Sequence, residues 1–138
     1  MKLRLLIGSL AATAVLAGCN SSEQPTTPAI APTEVAAVQT PPPDYPVELA
    51  CAGVGGKSVL NVVVGAEGTP TSVTLITTSG NSQLDDSAIS RVREWKFKAA
   101  TRNGQPVPTT IQVPVTFNPP QPKPDECFAI EERARRGS

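Results

Sequence analysis

The chain has no histidine among its 138 residues. Imidazole is the commonest general base and the commonest metal ligand. Its absence excludes serine–histidine and cysteine–histidine nucleophile pairs and every histidine-based metal site. Formal net charge is zero, so no basic or acidic excess points to nucleic acid or to oppositely charged partners. No apolar run approaches the ~20 residues a spanning helix needs; the longest, residues 5–17, is about 13. The three cysteines form no CxxC pair, which leaves no dithiol redox motif. Asp85-Asp86 and Glu131-Glu132 are adjacent acids, and neighbours on a helix point apart and cannot share a proton. No constellation carries catalysis, a cofactor or a metal, so the chain is not expected to be an enzyme.

Proline is what the chain has in excess. Fifteen prolines cluster towards both ends and leave room for one small domain between two tails. Met1 to Arg4 is a short basic lead-in, and the apolar run after it ends in Leu16-Ala17-Gly18-Cys19. This looks like a bacterial lipoprotein signal over residues 1–18, with small residues before the cut and Cys19 as the acylated first residue. Two or more acyl chains would anchor it stably at the envelope's periplasmic face. By analogy with lipoprotein sorting, Asn20 favours the outer membrane, with the inner membrane left open. Residues 20–44 are rich in Pro, Thr, Ala and Ser and poor in large apolar groups, which predicts a disordered tether.

Setting Cys19 aside leaves Cys51 and Cys127 as an even pair in an oxidising compartment. A bond between them is expected, closing a loop of about 76 residues. A free thiol on a mobile tail, or a bond between chains, is the alternative.

Between the tails the periodicities are legible. Tyr45 to Cys51 reads as a short first helix with Pro46 in its opening turn. From Gly56 the residues Ser58, Leu60, Val62 and Val64 alternate with Val59, Asn61 and Val63, as in a strand with one apolar face. Residues 65–68 turn the chain, and residues 71–78 return with Val73 and Leu75 inward. Ile76 breaks that alternation and marks a bulge or a second contact. Leu84, Ala88, Val92 and Trp95 then line one face of a helix. Its start signal is Ser82-Gln83-Leu84-Asp85, with the Ser82 hydroxyl accepting and Asp85 reaching back. Arg91, Arg93, Lys96 and Lys98 gather where they favour the negative helix end. Asn103-Gly104-Gln105-Pro106 turns the chain into a last strand. Pro114 inside that strand places it at the border of the sheet, its missing N–H facing outward. Residues 119–138 are a Pro-rich spacer and a charged end. Phe128, Ile130 and Ala134 allow a turn or two of weak helix there, but a frayed tail held at Cys127 is expected.

In order, Tyr45-Pro46, Gly56, Gly68, Ser79-Gly80, Leu84-Asp85 with Ala88, Trp95-Lys96-Phe97, Asn103-Gly104 and Val113 to Phe117 resemble the C-terminal domain of the TonB family of energy transducers. The resemblance covers about 75 residues, and it departs at Ala99-Ala100, where the family has Pro-Ala. It implies an α+β domain over residues 45–118, a three-stranded antiparallel sheet with two helices packed on one face. It also implies a function: the last strand pairs with a short segment of an outer-membrane TonB-dependent transporter. Carried onto this chain, the contact residues are Ile111, Gln112, Val113, Pro114, Val115, Thr116 and Phe117. An open edge also permits strand exchange into a homodimer. A full-length transducer carries an uncleaved spanning helix, whereas this chain has a short leader and a lipid anchor. An envelope lipoprotein using the domain as an assembly scaffold is therefore the alternative.

Overall fold

A computed structural model describes Gly18 and residues 28–138. The expected leader, Gly18 apart, and the acylation residue Cys19 lie outside the described residues. The elements run β1 (Ala36–Gln39), α1 (Val47–Cys51), β2 (Gly56–Val64), β3 (Pro70–Thr77), α2 (Ser82–Val92), β4 (Lys96–Lys98), β5 (Ala100–Arg102), β6 (Gln105–Val107), β7 (Thr109–Phe117) and α3 (Asp125–Arg136). The architecture is α+β, centred on an antiparallel three-stranded sheet in the order β3-β2-β7. Strands β1 with β4, and β5 with β6, form two smaller antiparallel pairs.

β2 is central because its alternation buries one whole face. Ser58, Leu60, Val62 and Val64 are fully buried. The α2 stripe Leu84, Ala88 and Val92 is fully buried in the same core. Burying each of the Leu and Val side chains here contributes about 1.5–3 kcal/mol, so this layer dominates the domain's stability. Trp95 falls beyond the end of α2, half-buried, and its indole N–H donates to the Pro41 carbonyl at 2.9 Å. The helix start lies one residue earlier than the expected capping box. Asn81 is the cap, its side-chain oxygen accepting from the amides of Gln83 and Leu84.

β3 borders the sheet and is largely exposed. Val59 pairs with Thr77 and Leu60 with Leu75, which leaves Ile76 as the extra residue of a bulge. Leu75 lies opposite buried Leu60 yet stays 36% exposed, because no further strand flanks it among the described residues. Gly68, at φ +81°, turns the chain from β2 to β3, and its carbonyl accepts from the Phe97 amide at 2.8 Å.

Both tails differ from expectation. Within the predicted tether, β1 pairs with β4, and Thr33 and Thr101 exchange two main-chain hydrogen bonds. Composition undercounts such order because it weighs side-chain burial, and here main-chain bonding to an available edge supplies the contacts. The predicted frayed tail contains a 12-residue helix, α3. Asp125 and Glu126 in its first turn and Arg133, Arg135 and Arg136 in its last suit the helix dipole. Cys127 is bonded to Cys51 with S–S 2.01 Å, which pins α3 onto α1.

Candidate functional site

The candidate site is the outer edge of β7. The chain reaches it through Asn103 and Gly104, both at positive φ (53° and 75°), which close the β5–β6 hairpin. Asn-Gly is the pair that adopts this conformation most readily. One residue after β6 the chain enters β7, which pairs with β2 in unbroken register from Gly56 opposite Phe117 to Val64 opposite Thr109.

All seven residues singled out in the sequence lie on this strand, split between its two faces. Val113, Val115 and Phe117 are buried in the core and Ile111 is half-buried, while Gln112, Pro114 and Thr116 are exposed. Pro114 stands opposite Val59. It has no N–H to give, so its position faces outward. Alternate residues of an antiparallel strand turn their backbone groups to the same side. Thr110, Gln112 and Thr116 therefore present N–H and C=O groups at the open edge, where Pro114 offers a carbonyl alone. The inward-facing set bonds to β2.

Among the described residues no strand pairs with the outer side of β7. The tail's helix α3 packs on α1. Tyr45 closes the far end of the strand, its ring edge-on to Phe117 at 5.4 Å and its hydroxyl donating to the Val54 carbonyl at 2.7 Å. Burial raises the Tyr45 pKa above its ordinary value. β7 carries no charged side chain, and across the ladder only Lys57, opposite Thr116, brings one near. An extended segment bound here would be held by main-chain bonds, with Lys57 the one charge across the β2 ladder.

Elsewhere a shallow hollow of about 260 Å³ is lined by Asp44, Pro46, Asp86, Ser87, Arg91 and Glu94, among others. Its Arg91 guanidinium is already paired with Asp44 at 2.8 Å and Glu94 at 2.9 Å. Asp85, expected to close a capping box, instead ties the sheet to the helix. It is 6% exposed and accepts from the Ser58 hydroxyl (2.7 Å), the Ser79 amide (2.8 Å) and the Thr78 hydroxyl. Burial alone would raise its pKa, but these donors outweigh burial and hold it at about 2. The signal for this was Ser58, a hydroxyl on the apolar face of β2 that needs a buried partner.

A family model for the Gram-negative bacterial TonB protein C-terminal matches residues 41–119. The chain is 43% identical over 76 residues to Protein TonB of Xanthomonas campestris pv. campestris, spanning 55% of this chain and 34% of that protein. It is 31% identical over 75 residues to Protein TonB of Vibrio cholerae, spanning 54% of this chain and 31% of that one. The chain thus spans about a third of the length of the curated relatives it matches. A solution NMR structure of the Pseudomonas aeruginosa TonB CTD is similar with a TM-score of 0.53 at 15% identity, covering 62% of this chain and 86% of that chain. At that identity the likeness concerns the fold. β1 and α3 fall outside the matched residues.

Proposed function

The chain belongs to the Gram-negative bacterial TonB protein C-terminal family, and from that premise we propose that its domain captures an extended segment of an outer-membrane TonB-dependent transporter by strand addition along β7. The observation that carries the proposal is the pairing of β7 on one side alone among the described residues: nine residues in register with β2, with outward backbone groups at Thr110, Gln112 and Thr116. Exposed edges of this kind are normally suppressed because they recruit other chains. One that is kept is a ready acceptor for a partner strand. On this reading the protein works at the periplasmic face of the envelope, held through an acylated Cys19, with the outer membrane favoured.

A titration of the full chain with N-terminal transporter peptides, followed by backbone amide shifts, tests the docking. Proline belongs at Gln112 or Thr116, where the amide faces outward; at Val113 or Val115 it would break the bond to β2. We expect Gln112→Pro and Thr116→Pro to lower affinity about tenfold or more, since each removes one donor and distorts the edge. Unchanged affinity would remove β7 as the contact. The second reading is an envelope lipoprotein that uses the domain as an assembly scaffold, favoured by Leu16-Ala17-Gly18-Cys19. Mass spectrometry of the mature N-terminus tests the anchor, and lack of binding across a broad peptide panel would favour the scaffold.

A further inference from the structure

The segment ahead of the domain is docked on a different edge from β7. Ala36 pairs with Lys98, Ala37 with Phe97 and Gln39 with Lys96, the register slipping between Ala37 and Gln39. Before this ladder, Thr33 and Thr101 exchange main-chain bonds of 3.1 and 3.0 Å and their hydroxyls meet at 2.8 Å. After it, Pro41 accepts from Trp95 and Asp44 pairs with Arg91.

We propose that residues 33–44 are a detachable strap: the outer edge of β4 is a second strand-accepting surface, filled by this chain's own β1 and exchanging between docked and free states. Three observations carry this. All four residues of β1 are exposed, and within the strap Val35 alone of the residues in the apolar cluster packs against the core, with Tyr45 following just beyond its end as the hinge. The ladder is short and interrupted, and Pro41-Pro42-Pro43 bars its continuation. Strand β4, in contrast, is held from its other side: Phe97 is buried, and its amide donates to the Gly68 carbonyl. The edge therefore persists when the strap leaves. Main-chain bonds at an exposed edge lie at the weak end of local stability, well below the interior strands.

Release has a mechanical result. It adds residues 33–44 to the free chain ahead of the domain, about 37 Å of further reach at ~3.1 Å per residue in a Pro-rich segment. It also bares Trp95 and the backbone of β4. The strap is independent of β7, and its test needs no partner, so its failure leaves the docking reading intact.

Hydrogen exchange on the oxidised full chain, residue by residue, decides it. In the wild type the Thr33 and Thr101 amides should be protected, yet exchange about a hundredfold faster than those of Leu60 and Val62. Because Phe97 spends its amide on Gly68, the bonds to β1 fall to Ala36 with Lys98 and Gln39 with Lys96. Ala36→Pro should thus bring Thr101 to the rate of an open chain and shift the Trp95 emission to the red. Leu60 and Val62 should keep their protection in that variant. The proposal is overturned if Thr101 exchanges as slowly as Leu60 in the wild type, or is unprotected there. It is equally overturned if Ala36→Pro leaves Thr101 unchanged or strips protection from β2.

Discussion

The Ser58 hydroxyl donates to Asp85 Oδ1 at 2.7 Å, joining the central strand to the first turn of α2 inside the core. The other carboxylate oxygen accepts from Thr78, and the Ser79 amide donates beside Ser58. One buried charge thus fixes the end of β3, the turn into α2 and the inner face of β2 together. With the Asp85 pKa depressed from 3.8 to about 2, the folded state favours the ionised form by roughly 2 kcal/mol. A depressed carboxyl contributes this stability above its unfolded pKa and loses it as pH falls through the folded one. Urea midpoints should therefore be flat above about pH 5 and fall between about pH 4 and 2. Asp85→Asn should lower stability at neutral pH by about 2–4 kcal/mol, because the amide keeps one acceptor oxygen and sets an NH2 donor against the donors on the other side, and the charge that strengthened all three bonds is gone. The same variant should show a flattened acid limb. An unaltered limb would assign the acid sensitivity to another carboxylate.

This network joins features that are legible in local sequence to one that is not. The alternation in β2, the Leu84, Ala88 and Val92 part of the α2 stripe, the Asn103-Gly104 turn and the border position implied by Pro114 are local patterns that the fold keeps, while Trp95 falls past the helix end. The role of Asp85 is not legible locally, because a capping-box acid and a tertiary acceptor look alike until Ser58, 27 residues earlier, is brought opposite. β1 escaped detection for a different reason. Ala-Ala-Val-Gln has no buried face, and its order comes from the backbone edge of β4, about 60 residues away in sequence. In α3 the helix-favouring charges were visible, but the docking that makes a short helix persist rests on the remote Cys51.

Reduction should loosen the C-terminal end before the sheet. The Cys51–Cys127 bond closes a loop with a sequence separation of 76. On the chain-entropy model this contributes at most about 4.5 kcal/mol. Cys127→Ser in a Cys51→Ser background should lower unfolding free energy by about 2–4 kcal/mol and open α3 to proteolysis. Limited proteolysis with mass spectrometry reads the second effect. An α3 that stays resistant would mean its contacts with α1 suffice alone.

Gly68 sets the approach of the β2–β3 turn to β4. At φ +81° a side chain is strained, and a Cβ there would lie 2.0 Å from the Phe97 carbonyl oxygen. Gly68→Ala should cost about 1–3 kcal/mol, through backbone strain and displacement of β4. Thermal unfolding checks the loss. The Trp95 emission, two residues from Phe97, reports whether β4 has moved. A stable variant with unchanged emission would mean the turn absorbs the extra methyl by itself.

Pro114 makes the last and sharpest test of the β7 edge. It interrupts the row of outward donors between Gln112 and Thr116, and an edge proline is also a recognised guard against unwanted pairing between chains. Its two effects separate on replacement. Pro114→Val restores one outward N–H on a residue that is exposed and outside the core. If a partner strand adds along β7, the new bond should raise affinity for the docked peptide by about 2–10-fold, the worth of one hydrogen bond of ~0.5–1.5 kcal/mol. The same variant should self-associate at high concentration, because the guard is gone, and sedimentation velocity reads that directly. Tighter peptide binding together with self-association places both processes on one edge. Weaker peptide binding would instead show that the proline ring itself touches the partner, with recognition resting on the exposed face of the strand.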